Sequence, residues 1–189
     1  GVARGKPADG WRVEPSPVLV DGAYAAQGSV VQVAPGEYRM YYSRDTLKGF
    51  HLATSSDGMA WKPVAGEPLL EPSQFGIRRM GLPYVVRAEG EWFMVFEGTD
   101  QGRFHIYMAS STDGVRWRPE RGGKPVYVPP AGTWDAFGQA NPSLHTVRTA
   151  AGRTGYVILY NGSGANDMTW DVGALASMHP RGTWACCGK

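Results

Sequence analysis

The sequence has almost no cysteine: two residues in 189, Cys186 and Cys187, side by side near the C-terminus. Adjacent cysteines rarely close a disulfide on each other, and two thiols are too few to hold a structural zinc alone. They read as free thiols on a tail, or as a bond to another chain, and they do not fix a compartment. No apolar run approaches the roughly 20 residues that span a bilayer. An excess of one charge is missing as well, since 19 basic residues face 17 acidic ones for a net charge of +2. The basic residues gather only at Arg78-Arg79 and around Arg116, Arg118 and Arg121. With no basic stripe interleaved with aromatic platforms, nucleic acid is not an expected partner. The four histidines show no metal-ligand spacing, and no Ser/His/Asp arrangement stands out. No glycine-rich phosphate loop opens a helix, and no stretch reads convincingly as a helix, so no cofactor is expected. The first residue is Gly, not Met. A processed or cut N-terminus is therefore expected, and the location stays open, with secretion or an organelle compatible.

Turn formers and aromatics are plentiful. Gly contributes 26 residues, Pro 14 and Trp 7, a balance that favours many short strands joined by tight turns. A repeat organises them. Ala53-Thr54-Ser55-Ser56-Asp57-Gly58-Met59-Ala60-Trp61 returns as Ala109-Ser110-Ser111-Thr112-Asp113-Gly114-Val115-Arg116-Trp117. A third copy keeps Ala176, Ser177 and Trp184 but puts Pro180-Arg181 where Asp-Gly stood, so its turn must differ. Asp bonds the backbone ahead of it and Gly tolerates positive φ, which is what a tight turn needs.

Each copy follows a pair of apolar segments. These are Ser29–Val33 with Tyr38–Tyr42, Pro83–Arg87 with Trp92–Phe96, and Pro142–Val147 with Tyr156–Tyr160. Third strands are expected at Phe50–Ala53, Phe104–Ala109 and Val172–Ala176, and Pro68–Leu70 and Pro125–Val128 as fourth strands or connectors. The expected fold is therefore all-β, a β-propeller of four-stranded antiparallel blades. Its blades would span 28–72, 81–130 and 138–184, after a lead-in at 1–27 and before a tail at 185–189. Closed propellers have about four to eight blades. Three imply a longer protein, a second copy or partner chains that complete or cover the ring.

These motifs resemble the five-bladed β-propeller superfamily of glycoside hydrolases, which holds arabinanases, invertases, levansucrases and mannoside phosphorylases. The likeness rests on Met40-Tyr41-Tyr42-Ser43 with the first Ser-Asp-Gly turn, and on Trp92–Gly98 with the second. It continues in Trp134-Asp135, Asn141–Leu144 and Tyr160-Asn161-Gly162. The resemblance implies a carbohydrate partner and cleavage of a glycoside by two carboxylates, or by one carboxylate with phosphate held in a basic pocket.

Inner-strand starts carry no carboxylate in this chain. Asp21 and Asp135 precede two of them and read as turn or capping residues. The returns of the second strands are richer, with Arg44-Asp45, Glu97 with Asp100, and Asn161 with Ser163. The repeat places them at one end of the central channel. Glu97 is the expected general acid and Asp45 the second carboxylate. Arg44, Arg78, Arg79, Asp100, Asn141 and Asn161 are expected to bind substrate. The structural alternative makes Asp45 and Asp100 turn residues and gives Glu97 an arginine partner. His51 and His105 read as structural, and Trp92 as a possible sugar platform. A different class of function also stays open: a non-catalytic propeller-like subunit that docks onto an assembly.

Overall fold

The computed structural model describes residues 3–6, 8, 10–45, 47–164 and 169–186. A short hairpin, β1 (Ala3–Lys6) with β2 (Gly10–Val13), pairs with nothing else among the described residues. Three antiparallel meanders follow. The first is β3 (Ala25–Ala34), β4 (Glu37–Arg44), β5 (Phe50–Ser55) and β6 (Lys62–Pro63). The second is β7 (Arg79–Ala88), β8 (Glu91–Asp100), β9 (Arg103–Ser111) and β10 (Arg118–Pro119). The third is β11 (Gly138–Arg148), β12 (Thr154–Ser163), β13 (Asp171–Ser177) and β14 (Ala185–Cys186). One parallel bridge, Gly138 opposite Phe104, joins the second and third meanders into an eight-stranded sheet. The sheets do not close on one another. Two 3-10 turns, Pro72–Phe75 and Arg121–Gly123, are the only helical pieces among the described residues.

The fourth strands are shorter than the sequence suggests. Each is the residue pair right after the repeat tryptophan, and Ala185–Cys186, expected in the tail, pairs with Leu175 and Ala176. Cys187 lies outside the described residues. The Pro68–Leu70 segment extends the same edge by two bonds, one of them from Phe50 N to Leu70 O at 3.0 Å, and Pro125–Val128 by one. Leu69 N donates to Phe50 O at 2.7 Å and Val126 N to Ile106 O at 2.9 Å.

Alternation along the strands decides which side of each sheet a residue serves. Trp92, Met94 and Phe96 of β8 pack with Tyr41, Phe50 and Leu52 of the first meander. Phe93 and Val95 point the other way, to Leu144, Ile158 and Tyr160 of the third. The middle sheet is thus buried on both faces, and Trp92–Phe96 reads as an unbroken apolar run. A smaller cluster of Tyr42, Ala53 and Trp61 lies on the outer side of the first meander, under Val18 and Leu19.

The repeated turn is built as its residues suggest. Asp113 Oδ1 accepts from Val115 N and Arg116 N, and Ser111 Oγ accepts from Gly114 N. Asp57 and Ser55 make the same bonds. In the third copy the His179 ring replaces the aspartate, its Nδ1 accepting from Arg181 N at 3.1 Å.

Candidate functional site

The inner strands β3, β7 and β11 each break register once, between Ala26 and Ser29, Gly81 and Tyr84, and Ala140 and Ser143. Each break is a β-bulge whose central residue is left-handed: Gln27 (φ 59°), Leu82 (φ 52°) and Asn141 (φ 52°). A side chain there costs about 1–2 kcal/mol, less for Asn. Strain kept at one position in three repeats marks a place where geometry is imposed from outside.

A bulge lifts an amide out of the ladder, and a buried amide needs an acceptor. The preceding meander supplies it. Leu82 N donates to Gln27 Oε1 at 3.0 Å, and that oxygen also accepts from Ser43 Oγ at 3.0 Å. Asn141 N donates to Glu97 Oε2 at 3.2 Å. Burial raises the Glu97 pKa above the ordinary carboxylate value, and the Asn141 amide opposes this only in part. Glu97 thus meets a backbone amide of the third meander.

Strand register refines the repeat correspondence. Ser43 pairs with Phe50, Glu97 with Ile106 and Asn161 with Val172, so these three second-strand residues are in line. Asp45 sits two residues further on, half-exposed, with Arg44 Nε 3.1 Å from its Oδ2. Its loop still reaches the second meander, because Met80 N donates to Leu47 O at 3.0 Å. Gly81, the next residue, lies opposite Glu97, and a Cβ there would meet Gln27 Oε1 at 2.8 Å and Leu47 Cδ2 at 3.2 Å. The Asp45 loop and Glu97 therefore approach the same bulge from two sides.

Arg44 also pairs with Asp21 (Nη1 to Oδ2, 3.4 Å). With Asp45, Lys48, His51, Glu67 and Glu71 it lines a cleft of about 410 Å³. Arg78 and Arg79 lie apart from it. They are exposed beside a shallow pocket with Thr99, Gln101 and Gly102. Asp100 closes β8 opposite Arg103, in the hairpin that rims that pocket. Asn161 stands on β12 opposite Ala140.

Asp21 and Asp135 do more than form turns. Each lies six residues before a bulge residue and accepts a tyrosine hydroxyl, Asp21 from Tyr42 and Asp135 from Tyr160 at 2.7 Å. Trp92 is only 3% exposed and is flanked by Arg39 and Arg87, so it packs and offers no sugar platform. The exposed tryptophans are Trp134 and Trp11. Sequence reasoning missed Gln27, whose role depends on a bulge in which the left-handed residue is not the glycine, Gly28, but its neighbour. It also missed Gln139. That side chain is fully buried beside His105, close enough to act on the ring, yet its Oε1 and Nε2, like His105 Nδ1, make no hydrogen bond of good geometry. Burial lowers the His105 pKa. Among the described residues no three His, Cys, Asp or Glu side chains gather to hold a metal ion, and no helix is long and apolar enough to cross a membrane.

No protein-family model matches the chain, and no curated protein matches it. Solved structures do. A glycosyl hydrolase from Bacteroides ovatus superposes with a TM-score of 0.68 at 16% identity, over 97% of this chain and 59% of that one. A family 117 glycoside hydrolase of the marine bacterium Zobellia galactanivorans gives 0.67 at 17% identity, over 86% and 55%. The family 32 β-fructofuranosidase of Bombyx mori gives 0.59 at 16% identity, over 85% and 36%. The chain thus spans little more than half the length of the first two. At these identities the likeness is one of fold. The resemblance carried by the repeat motifs therefore holds at that level: the chain has the all-β fold of the propeller glycoside hydrolases.

Proposed function

We propose that the three meanders are three blades of a glycosidase-like propeller, and that the chain binds and cleaves a glycoside at the rim where the bulges lie. The observation that carries this reading is Glu97, a half-buried carboxyl that meets the Asn141 amide at a strained bulge and whose pKa burial raises. A raised pKa favours the protonated carboxyl that general-acid attack on a glycosidic bond needs. Oε2 is held by the Asn141 amide, which leaves the other oxygen for the glycosidic oxygen. Asp45, exposed and beside Arg44, is the second carboxylate, acting on water or on the sugar carbon. Arg44, Asn141 and Asn161 supply charge and hydrogen bonds for the sugar at the bulges, and Arg78, Arg79 and Asp100, around the separate shallow pocket, for a more distant part of the glycan. In a phosphorolytic variant of the reaction Arg44, beside Asp45, holds the phosphate.

The test is a panel of aryl glycosides and oligosaccharides against the wild type, Glu97→Gln and Asp45→Asn. Turnover should fall about a hundredfold or more in Glu97→Gln while glycan binding persists. Unchanged turnover would remove Glu97 from the site. A second reading, a non-catalytic docking subunit, is favoured by one observation: on the third meander Leu159 of β12 and Val172 of β13 are exposed. Wild-type protein that neither binds nor turns over any glycan in the panel would support it.

A further inference from the structure

The junction between the second and third meanders carries more aromatic surface than its packing needs. Gly98, which follows Glu97 on β8, and Gly162, which follows Asn161 on β12, are in line by register. Each is covered by the segment that leads into its own meander. Over Gly98 the cover is Ile77, since a Cβ on that glycine would stand 2.5 Å from Ile77 Cδ1. Ile77 is 8% exposed, so an isoleucine is enough to seal the notch. Over Gly162 the cover is Trp134. A Cβ on Gly162 would stand 2.5 Å from its Cζ3, and a Cβ on Gly173 2.8 Å from its Cη2. Trp134 fills the same kind of notch and still leaves 46% of itself exposed.

That exposed ring is held in place. It stacks on Tyr160, with centroids 6.0 Å apart and planes 20° from parallel. Tyr160 Oη donates to Asp135 Oδ2 at 2.7 Å, and Thr133 Oγ1 lies 2.8 Å from Asp135 Oδ1. Both sequence neighbours of Trp134 are therefore tied down. With Tyr160 on one face and the glycines at one edge, the surface left open is that of the opposite face. A flat aromatic fixed at a wet rim suits a ligand with one apolar face and polar edges. A pyranose is such a ligand. The C–H bonds of one face turn partial positive charge toward the negative face of the indole, and the hydroxyls stay in water.

We infer that Trp134 is a stacking platform for a pyranose of the glycan, at a distance from the bond that is cut. The inference deepens the glycoside reading and rests on it. Val95 and Tyr160 pack in one cluster in this junction. Glu97 and Gly162 stand two residues further along the same strands, on the same faces. The carboxyl and the platform therefore border one opening. The path from Glu97 through Asn141, Ala140, Asn161 and Gly162 to the indole runs about 15–20 Å, a span that several linked sugars bridge. The substrate class is thus an oligosaccharide of pyranoses longer than a disaccharide.

The test is calorimetric titration of the full chain carrying Glu97→Gln, which keeps the ligand from being cut. The probes are gluco-, xylo-, manno- and galacto-oligosaccharides, each from disaccharide to hexasaccharide. Affinity within one series should step up about tenfold or more at the length that reaches Trp134. Trp134→Ile, which copies Ile77 and keeps the notch filled, should erase the step, and Trp134→Phe should retain part of it. Circular dichroism should show both variants folded. Affinity that stays flat across all lengths overturns the platform without recourse to any variant. A Trp134→Ile chain that binds every length as its parent does also overturns it, and leaves the glycoside reading standing. Equal loss at every length overturns it too, since Trp134 then supports the opening near Glu97 and holds no distant sugar. A parent that binds no member of any series overturns the platform, and if the wild type turns none over the glycoside reading falls with it.

Discussion

The repeated Ser-x-Asp-Gly turn offers an experiment with its own control. Gly58 and Gly114 share φ, at 74° and 72°, and the same bonds from serine and aspartate. Alanine at either position bears the left-handed strain, about 1 kcal/mol. The surroundings differ. A Cβ on Gly58 meets only Tyr38 Cε1, at 4.0 Å. A Cβ on Gly114 meets Arg39 Nη1 and Tyr41 Oη at 2.8 Å and Trp92 Cε2 at 3.0 Å. Those atoms belong to the first junction: Arg39 Nη1 donates to Asp113 O at 2.6 Å and Tyr41 Oη to Gly114 O at 2.9 Å. Overpacking there adds about 1–3 kcal/mol, and losing the buried tyrosine bond adds about 1 kcal/mol. Gly114→Ala should therefore cost about 3–5 kcal/mol against about 1 kcal/mol for Gly58→Ala. Urea titration followed by tryptophan fluorescence measures both. With a slope of about 1–3 kcal/mol per molar, the two midpoints should separate by about 1 M or more. Equal midpoints would show that the second turn is not packed against the first meander as described.

Glu97 makes stability depend on pH in a defined direction. Its folded pKa is raised from 4.5 by burial, so its contribution is whole below that unfolded value and declines as pH rises through the folded one. Glu97→Gln should remove this decline, so that thermal melts of the two proteins converge near pH 4 and the variant gains relative stability toward neutral pH. If Glu97 is the acid, turnover should fall over the same alkaline limb. Gln139→Leu should raise the melting temperature, because it replaces a buried amide that makes no hydrogen bond of good geometry by an apolar side chain of similar size, worth about 1–2 kcal/mol. A fall would mean that the amide is satisfied in solution, with an internal water as the first candidate to seek crystallographically.

The fold was legible because local chemistry and long-range packing agree. Asp57-Gly58 and Asp113-Gly114 dictate a turn by themselves, and Trp61 and Trp117 mark the step into the outer strand. The unbroken Trp92–Phe96 run and the more alternating Tyr156–Tyr160 run differ because one sheet has neighbours on both faces. The edges were harder to read. Whether Pro68–Leu70 or Lys62–Pro63 forms the fourth strand depends on one or two bonds to a distant strand. The site was the least legible. Asp21 and Asp135 look like turn residues until Tyr42 and Tyr160 arrive across the sheet. Glu97 could be singled out by its place after an apolar strand, but its partner is a backbone amide, which no residue name announces.

That last contact bears on which residues the fold constrains. The donor at each junction is main chain, so the side chains of the donating bulge residues, Leu82 and Asn141, do not make the contact. Gln27, Leu82 and Asn141 are three different residue types in one conformation. The acceptor can change as well, from a glutamine amide to a carboxylate. The inner strands therefore keep their fit with different residues at the bulges. The Ser-x-Asp-Gly turns are more constrained, because one serine and one aspartate there satisfy several amides at once, and where the third meander lacks the aspartate the His179 ring takes its place. The turns thus demand particular side chains, while the rim of the bulges accepts a range of them.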